Sequence, residues 1–313
     1  DHKGAPHMSP EEHRRRCGRR RKRARGVSRR EALRIRKMAK GTERRKPGDK
    51  SKNARMASIG TVYTLRRTED GGVEGPIHRR VFGTFKGPRA LFKILKREAR
   101  KRGYGTKKTV FLADGEARIW KLQEEFFPLA TPCLDWYHLA EYLWDAAGAV
   151  HRATTKAGRA KRREWVRARQ DELRAGAIDK VLTALEALRA RIGQSGPGTR
   201  FRRKNVDKAI TYIENHRDLM PYKELLADNL VIATGNIEGA AKYIGARLDG
   251  SGMRWSKERA EHVLALRCVL ASHEWTGFEK AVAEAHEQRD DWAVERVTPS
   301  NVMTPHKAAR KVA

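Results

Sequence analysis

Four side chains have types and settings that could do chemistry: Glu238, Asp114, Asp135 and His138. Glu238 lies in the stretch from Leu230 to Arg267, where Ile237, Ala240, Ala241, Ile244 and Leu248 recur at helical spacing and fix an apolar face. The glutamate points off that face, in the first turn. Asp114 ends the apolar run Val110-Phe111-Leu112-Ala113, bounded by charge and by Gly115, which is the pattern of a strand buried on both faces. In an open α/β sheet, sites lie at the carboxyl ends of strands. Asp135 and His138 follow another short strand, Leu129 to Leu134, and open a helix. Carboxylates are hard oxygen donors suited to divalent cations, and acids brought together repel one another unless a cation is present. Each of these residues also has a structural reading. Asn236 can cap the helix whose macrodipole favours Glu238, Asp114-Gly115 can be a turn that stops a strand, and Asp135 can cap a helix beside a half-buried histidine. A zinc site through Cys133, Asp135 and His138 lacks a fourth ligand and the usual spacing.

The wider sequence sets the partner. The chain has 313 residues, enough for one elaborate domain or two, and its net charge of +31 points to a polyanion. No apolar run approaches membrane-spanning length, and no basic helix carries a bulky apolar face, so we expect no membrane partner and a cytoplasmic location. Cys17, Cys133 and Cys268 are odd in number and far apart, which argues against a disulfide framework. From Glu11 to Arg55 there are 21 Lys plus Arg against 5 Asp plus Glu. This basic arm, residues 10–55, would neutralise phosphates by releasing counterions. It has nothing to read bases, so it implies affinity without sequence specificity.

Several elements must position the four residues. Met56 to Leu65 is β-rich, Glu69 to Gly72 is a turn, and Ile77 to Phe85 makes an antiparallel partner. Residues 86–102 read as an amphipathic helix with Leu91, Ile94 and Leu95 inward. Leu139 to Asp228 is helical in period and broken at Gly193 to Gly198, with Trp144, Trp165, Leu182, Leu185 and Leu188 as its expected core. Ser256 caps a helix through Arg267 to about Ala271, Trp275 to Ala285 forms the last helix, and 298–313 is a tail.

The runs Gly235-Asn236-Ile237-Glu238-Gly239-Ala240-Ala241-Lys242, Arg247-Leu248-Asp249-Gly250-Ser251-Gly252-Met253-Arg254-Trp255-Ser256 and Leu266-Arg267 resemble the C-terminal signature of bacterial insertion-sequence transposases of the ISKra type. Those are similar to the Mutator-like DDE enzymes. Asn236 departs from the pattern, which more often has serine there. Asp1-His2-Lys3-Gly4-Ala5-Pro6-His7-Met8 resembles the segment around the first catalytic aspartate, D-x-K-G-x-x-M, and Met56 to Leu65 also matches. Asp114-Gly115, with Ile119-Trp120 after it, resembles the second acid's surroundings, and Asp135 to His138 resembles a D/C-x-x-H motif.

The resemblance implies an α/β, ribonuclease H-like mixed sheet flanked by helices, with a large all-α insertion before the last catalytic helix. Residues 1–136 would begin the catalytic core, 137–228 form the insertion, and 229–297 complete the core. Asp1, Asp114 and Glu238 would be the three carboxylates, Asp1 and Asp114 on neighbouring strands, with Asp135 and His138 shaping the site. Lys242, Arg247, Arg254, Trp255 and Arg259 would hold DNA. Implied cofactors are two Mg2+ (or Mn2+) ions, about 3.5 to 4 Å apart in such sites. Implied partners are the element's terminal inverted repeats and target double-stranded DNA, bound by a homo-oligomer at the nucleoid. Water would first cut the element end, and the freed 3′-hydroxyl would then attack target DNA. Because Asp1 should end a strand and instead opens the sequence, the resemblance also implies N-terminal truncation. Two alternatives stand beside this reading: a non-catalytic basic nucleic-acid-binding protein, and a ribonuclease H-like nuclease that cuts without joining.

Overall fold

The β-rich stretch after residue 53 folds as a long antiparallel hairpin, β2 (Ala54–Arg67) against β3 (Val73–Thr84). Its turn is closed by Thr68 and Gly72, with the Asp70 carboxylate accepting from the Gly72 N–H and Gly71 at φ 80°, a conformation glycine takes without penalty. Along the other edge of β2 runs β1 (His2–Pro6), antiparallel, with His2 opposite Ser58 and Pro6 opposite Ala54. The computed structural model describes residues 2–6, 11, 14, 54–151, 154–249 and 253–296. Almost all of the basic arm 10–55, the tail 298–313 and Asp1 lie outside those residues.

Helix α1 (Pro88–Lys101) starts with proline in its first turn, where the missing N–H costs nothing, and crosses the sheet. Leu91, Phe92, Leu95 and Ala99 form its buried stripe. They meet Ile119 and Leu122 of α2 (Ala117–Phe126). Strands β4 (Val110–Ala113) and β5 (Thr131–Leu134) pair in parallel, Ala113 opposite Leu134, and α2 is their crossover. Among the described residues they make a two-stranded sheet of their own, separate from β1-β2-β3, so the antiparallel and parallel strands of the mixed sheet that the resemblance implies lie in two sheets. The same fact corrects the burial of β4. All four of its residues are only half-buried, because side chains cover its faces while one edge has no paired strand among the described residues. Nor is β1 a paired neighbour of β4: its pairing is with β2.

Helices α3 (Trp136–Val150), α4 (Lys156–Arg174), α5 (Ile178–Ala190), α6 (Thr199–Asn215) and α7 (Tyr222–Ala227) pack on this small sheet around one core. Leu139, Leu143, Val166, Leu185, Leu188 and Val206 are buried there with Cys133 and Leu134. Trp144, Trp165 and Leu182, expected inside, sit half-buried at its rim. The break falls as expected, with Gly196 and Gly198 at positive φ before α6.

The chain then returns to the first sheet. Helices α8 (Gly235–Gly245) and α9 (Lys257–Ala271) cover the face opposite α1, burying Ala240, Ala241, Ile244, Leu248 and Leu264 against Ala57, Ile59 and Val81. Ser256 caps α9 by accepting from the Arg259 N–H. Along the outer edge of β3, the Val81 N–H donates to the Ser272 hydroxyl (2.8 Å) and the Phe85 N–H to the Glu261 carboxylate (2.9 Å), while Arg79 donates to the Ala271 carbonyl (2.8 Å). The last helix, α10 (Trp275–Arg296), runs beyond the expected end at Ala285. Among the described residues no helix is long and apolar enough to cross a membrane.

Candidate active site

The parallel register of β4 and β5 decides where the acids go. The Asp135 N–H donates to the Ala113 carbonyl (2.8 Å), so Asp114 and Asp135 leave the same sheet edge side by side. Asp135 is 1% exposed and fully engaged. One carboxylate oxygen, Oδ2, accepts from the His138 N–H (3.1 Å) and faces His138 Nδ1 (3.0 Å); Oδ1 accepts from the Thr234 N–H (2.7 Å). Burial opposes ionisation of Asp135, but the hydrogen bonds from His138 and Thr234 outweigh it and hold the carboxyl below its usual range. The same bond to Asp135 raises the His138 imidazole against the opposing effect of burial, with the charges of Asp135, Asp114 and Glu141 adding to it. Burial, with Asp135 nearby, pushes the Cys133 thiol up to about 12, so it stays protonated near neutral pH.

Thr234 connects this network to the late part of the chain. It is the residue that flanks the start of α8 at Gly235, so the cap position lies two residues before the expected cap Asn236. The physical reason is that a distant carboxylate, not a local side chain, satisfies the Thr234 N–H. A second bond, from the Trp136 N–H to the Ile232 carbonyl (3.1 Å), fixes the approach. Gly235 packs beside Tyr137, an exposed ring: a Cβ on Gly235 would lie 3.3 Å from Tyr137 Cε2.

Glu238 occupies the first turn of α8, its N–H on the Thr234 carbonyl (3.3 Å). Its side chain is 46% exposed, with Lys242 Nζ 3.7 Å away. Because α8 also packs on β1 and β2, the helix bearing Glu238 spans from the strand that follows Asp1 to the strand ends bearing Asp114 and Asp135.

Asp114 Oδ1 accepts from the Glu116 N–H (3.1 Å), as an Asp-Gly turn would. On its far side stand three rings that the sequence did not single out. Tyr212 stacks on Tyr142 at 4.0 Å and 15°, and the His216 ring follows at 4.5 Å. His216 is pinned between the Tyr212 carbonyl (Nδ1, 2.7 Å) and the Gly115 carbonyl (Nε2, 3.0 Å). Tyr212 lies so close that a Cβ on Gly115 would come within 2.5 Å of its Cε2. Burial raises the Tyr212 hydroxyl, with Tyr142, Asp114 and Asp135 adding to it. The only hint in the sequence was the i, i+4 spacing of Tyr212 and His216 on a helix.

The donor chemistry, carboxylate oxygen, suits Mg2+ or Mn2+. Among the described residues, however, no three His, Cys, Asp or Glu side chains stand close enough to hold a metal ion. Asp135 has both oxygens engaged by protein donors. The described residues do not by themselves fit a metal centre, and the third proposed ligand, Asp1, lies outside them.

The expected DNA contacts divide. Lys242, Arg247, Arg254 and Arg259 are exposed near the α8–α9 connection. Trp255 is half-buried against the α8–α9 core and donates its indole N–H to the Leu248 carbonyl (3.0 Å). Compared with models of protein families, with curated proteins and with solved structures, the chain matches none.

Proposed function

We propose that this chain is a DDE-type DNA transposase resembling the ISKra group, with Asp1, Asp114 and Glu238 as its carboxylates. The observation that carries the reading is the Asp135–Thr234 hydrogen bond (2.7 Å). It ties the start of the helix bearing Glu238 to Asp135, which leaves the same sheet edge as Asp114, and this supports a reading in which acids far apart in sequence work together. The packing of α8 on β1, the strand immediately after Asp1, supports the same grouping. A three-stranded antiparallel meander, then a helix and two parallel strands, is compatible with a ribonuclease H-like core, the helices from 136 to 227 forming its insertion. The net charge of +31 fits a DNA partner.

The reaction breaks one phosphodiester P–O bond by attack of water, leaving a 3′-hydroxyl on the element end. That hydroxyl then forms a P–O bond to target DNA and expels a target 3′-oxygen. Two Mg2+ (or Mn2+) ions, if held by Asp1 together with Asp114 and Glu238, would neutralise charge on the phosphate. The protein's own part is to hold the strand ends rigid. Asp135 spends its carboxylate on positioning α8 and orienting His138, and Lys242 balances Glu238 in the free protein.

A second reading has its own support: Glu238 is half-exposed and pairs with Lys242, an ordinary surface i, i+4 arrangement. On that reading the protein binds nucleic acid without cutting it. A magnesium-dependent strand-transfer assay on labelled element ends separates the two. The transposase reading expects joined product from the parent and none from Glu238→Gln; equal activity in both removes Glu238 from the site. Cutting without joining would point to a nuclease.

A further inference from the structure

One face of the helical block is concave. A groove of about 910 Å3 runs along α6, from the turn at Gln194 to His216. Arg200, Lys204 and Lys208 line it at four-residue spacing, a ridge about 12 Å long at 1.5 Å per residue. None of the three has an ion pair or side-chain hydrogen bond among the described residues. The one acid beside them, Asp207, is paired with Arg189, so it does not cancel their charge. Arg203 is held in place by the Ile192 carbonyl (3.1 Å).

The far end of the groove is aromatic and leads to the candidate site. Tyr142 and Tyr212 are stacked there, and His216 bonds to the Gly115 carbonyl, one residue from Asp114. Uncompensated cations in a row at helical spacing are the feature that tracks a nucleic-acid backbone, and the Tyr142–Tyr212 stack closes the end of the groove nearest Asp114. Packing does not explain them, since the buried face of α6 is made by Val206, Ala209 and Ile213.

We propose that this groove is a docking track for the backbone of DNA and leads a strand toward the Asp114 edge. Delivery to that edge rests on the phosphoryl-transfer reading above; binding in the groove does not. The all-α block is then a substrate-holding element, with Arg200, Lys204 and Lys208 each meeting one phosphate.

The test is fluorescence anisotropy of a labelled DNA duplex on the whole chain, titrated between about 50 and 200 mM salt. The groove variant carries Arg200→Gln, Lys204→Gln and Lys208→Gln. A control removes the same charge from exposed positions on α4, as Lys161→Gln, Arg163→Gln and Arg167→Gln. Glutamine keeps helix propensity near that of the residues it replaces, and circular dichroism checks that both variants fold. The groove variant should lose about tenfold or more in affinity, and its slope of log K against log salt should flatten by about 2.7, at roughly 0.9 per lost phosphate contact. The control should stay within about threefold of the parent. Equal losses in the two variants would overturn the proposal, as would a groove variant that loses a labelled RNA but keeps the duplex. Glu238→Gln run alongside separates the two claims: if it keeps full strand transfer while the groove variant loses affinity, the site assignment fails and the track stands.

Discussion

Two acids stand at the start of two helices, and the fold treats them in opposite ways. Asp135, before α3, is buried and gives both oxygens to protein donors; Glu238, in the first turn of α8, is 46% exposed and, among the described residues, has Lys242 as its charged partner. A carboxylate whose lone pairs are already taken is structural, while one left open in a helix's first turn is available to a ligand. Both motifs resemble parts of a transposase signature, but the environment separates an engaged carboxylate from an open one.

The contrast breaks most sharply at Glu238. Glu238→Gln should lower strand transfer by at least about 100-fold, roughly 2.7 kcal/mol, and shift stability by under about 0.5 kcal/mol, because no buried bond is lost. A fall in stability without a fall in activity would reverse the two roles. Asp135→Ala should do the opposite. It removes a cap worth about 1 kcal/mol and orphans the Thr234 and His138 donors, for a total of about 3 kcal/mol in urea denaturation. Asp135→Asn, which keeps one acceptor oxygen, should fall between; a parent-like midpoint for Asp135→Ala would show that the network is not structural.

Gly115→Ala probes the same edge from the aromatic side. Its new methyl would meet Tyr212 at 2.5 Å, and that ring is wedged between Tyr142 and His216. A cost of about 1 to 3 kcal/mol is expected, read as a lower melting temperature. The smallest effect is that of pH on the Asp135–His138 pair. His138 is raised when folded, so its contribution is full below the ordinary histidine value of about 6.5 and is lost as pH rises through the folded value. Asp135 is lowered, so its contribution is present above about 3.8 and is lost as pH falls through its folded value. His138→Gln should therefore cost more at pH 6 than at pH 9, by at most about 1 kcal/mol, since the imidazole is 39% exposed and water screens it. A cost independent of pH would mean that His138 acts by packing alone.

The sequence carried the local elements well. The hairpin, the strand that stops at Asp114 and the two late helices were all legible, as was the stripe of α1 at Leu91 and Leu95 though not at the half-buried Ile94, because each is written in a short-range period or turn. The long-range bonds were not legible. Thr234 and Asp135 are far apart in sequence, and nothing in the Thr-Gly-Asn run announces that its first N–H is satisfied from elsewhere, which is why Asn236 looked like the cap. The gap between the two sheets was hidden for a similar reason. An apolar tetrapeptide looks the same whether it has one strand neighbour or two, so Val110–Ala113 read as more deeply buried than it is. The Tyr142–Tyr212–His216 stack was missed because it joins two helices whose facing sides no local pattern fixes.

The bonds from Ser272, Glu261 and Arg79 along β3 have a consequence for how copies of this protein can associate. An edge strand with free N–H and C=O groups invites a second chain to add on and extend the ladder, the usual start of ordered aggregates. On this side, Glu261 of α9 and Ser272 just after it already take the N–H groups of Phe85 and Val81, so that part of the rim is covered from within the molecule. A second chain that added a strand at Val81 or Phe85 would first have to displace these bonds.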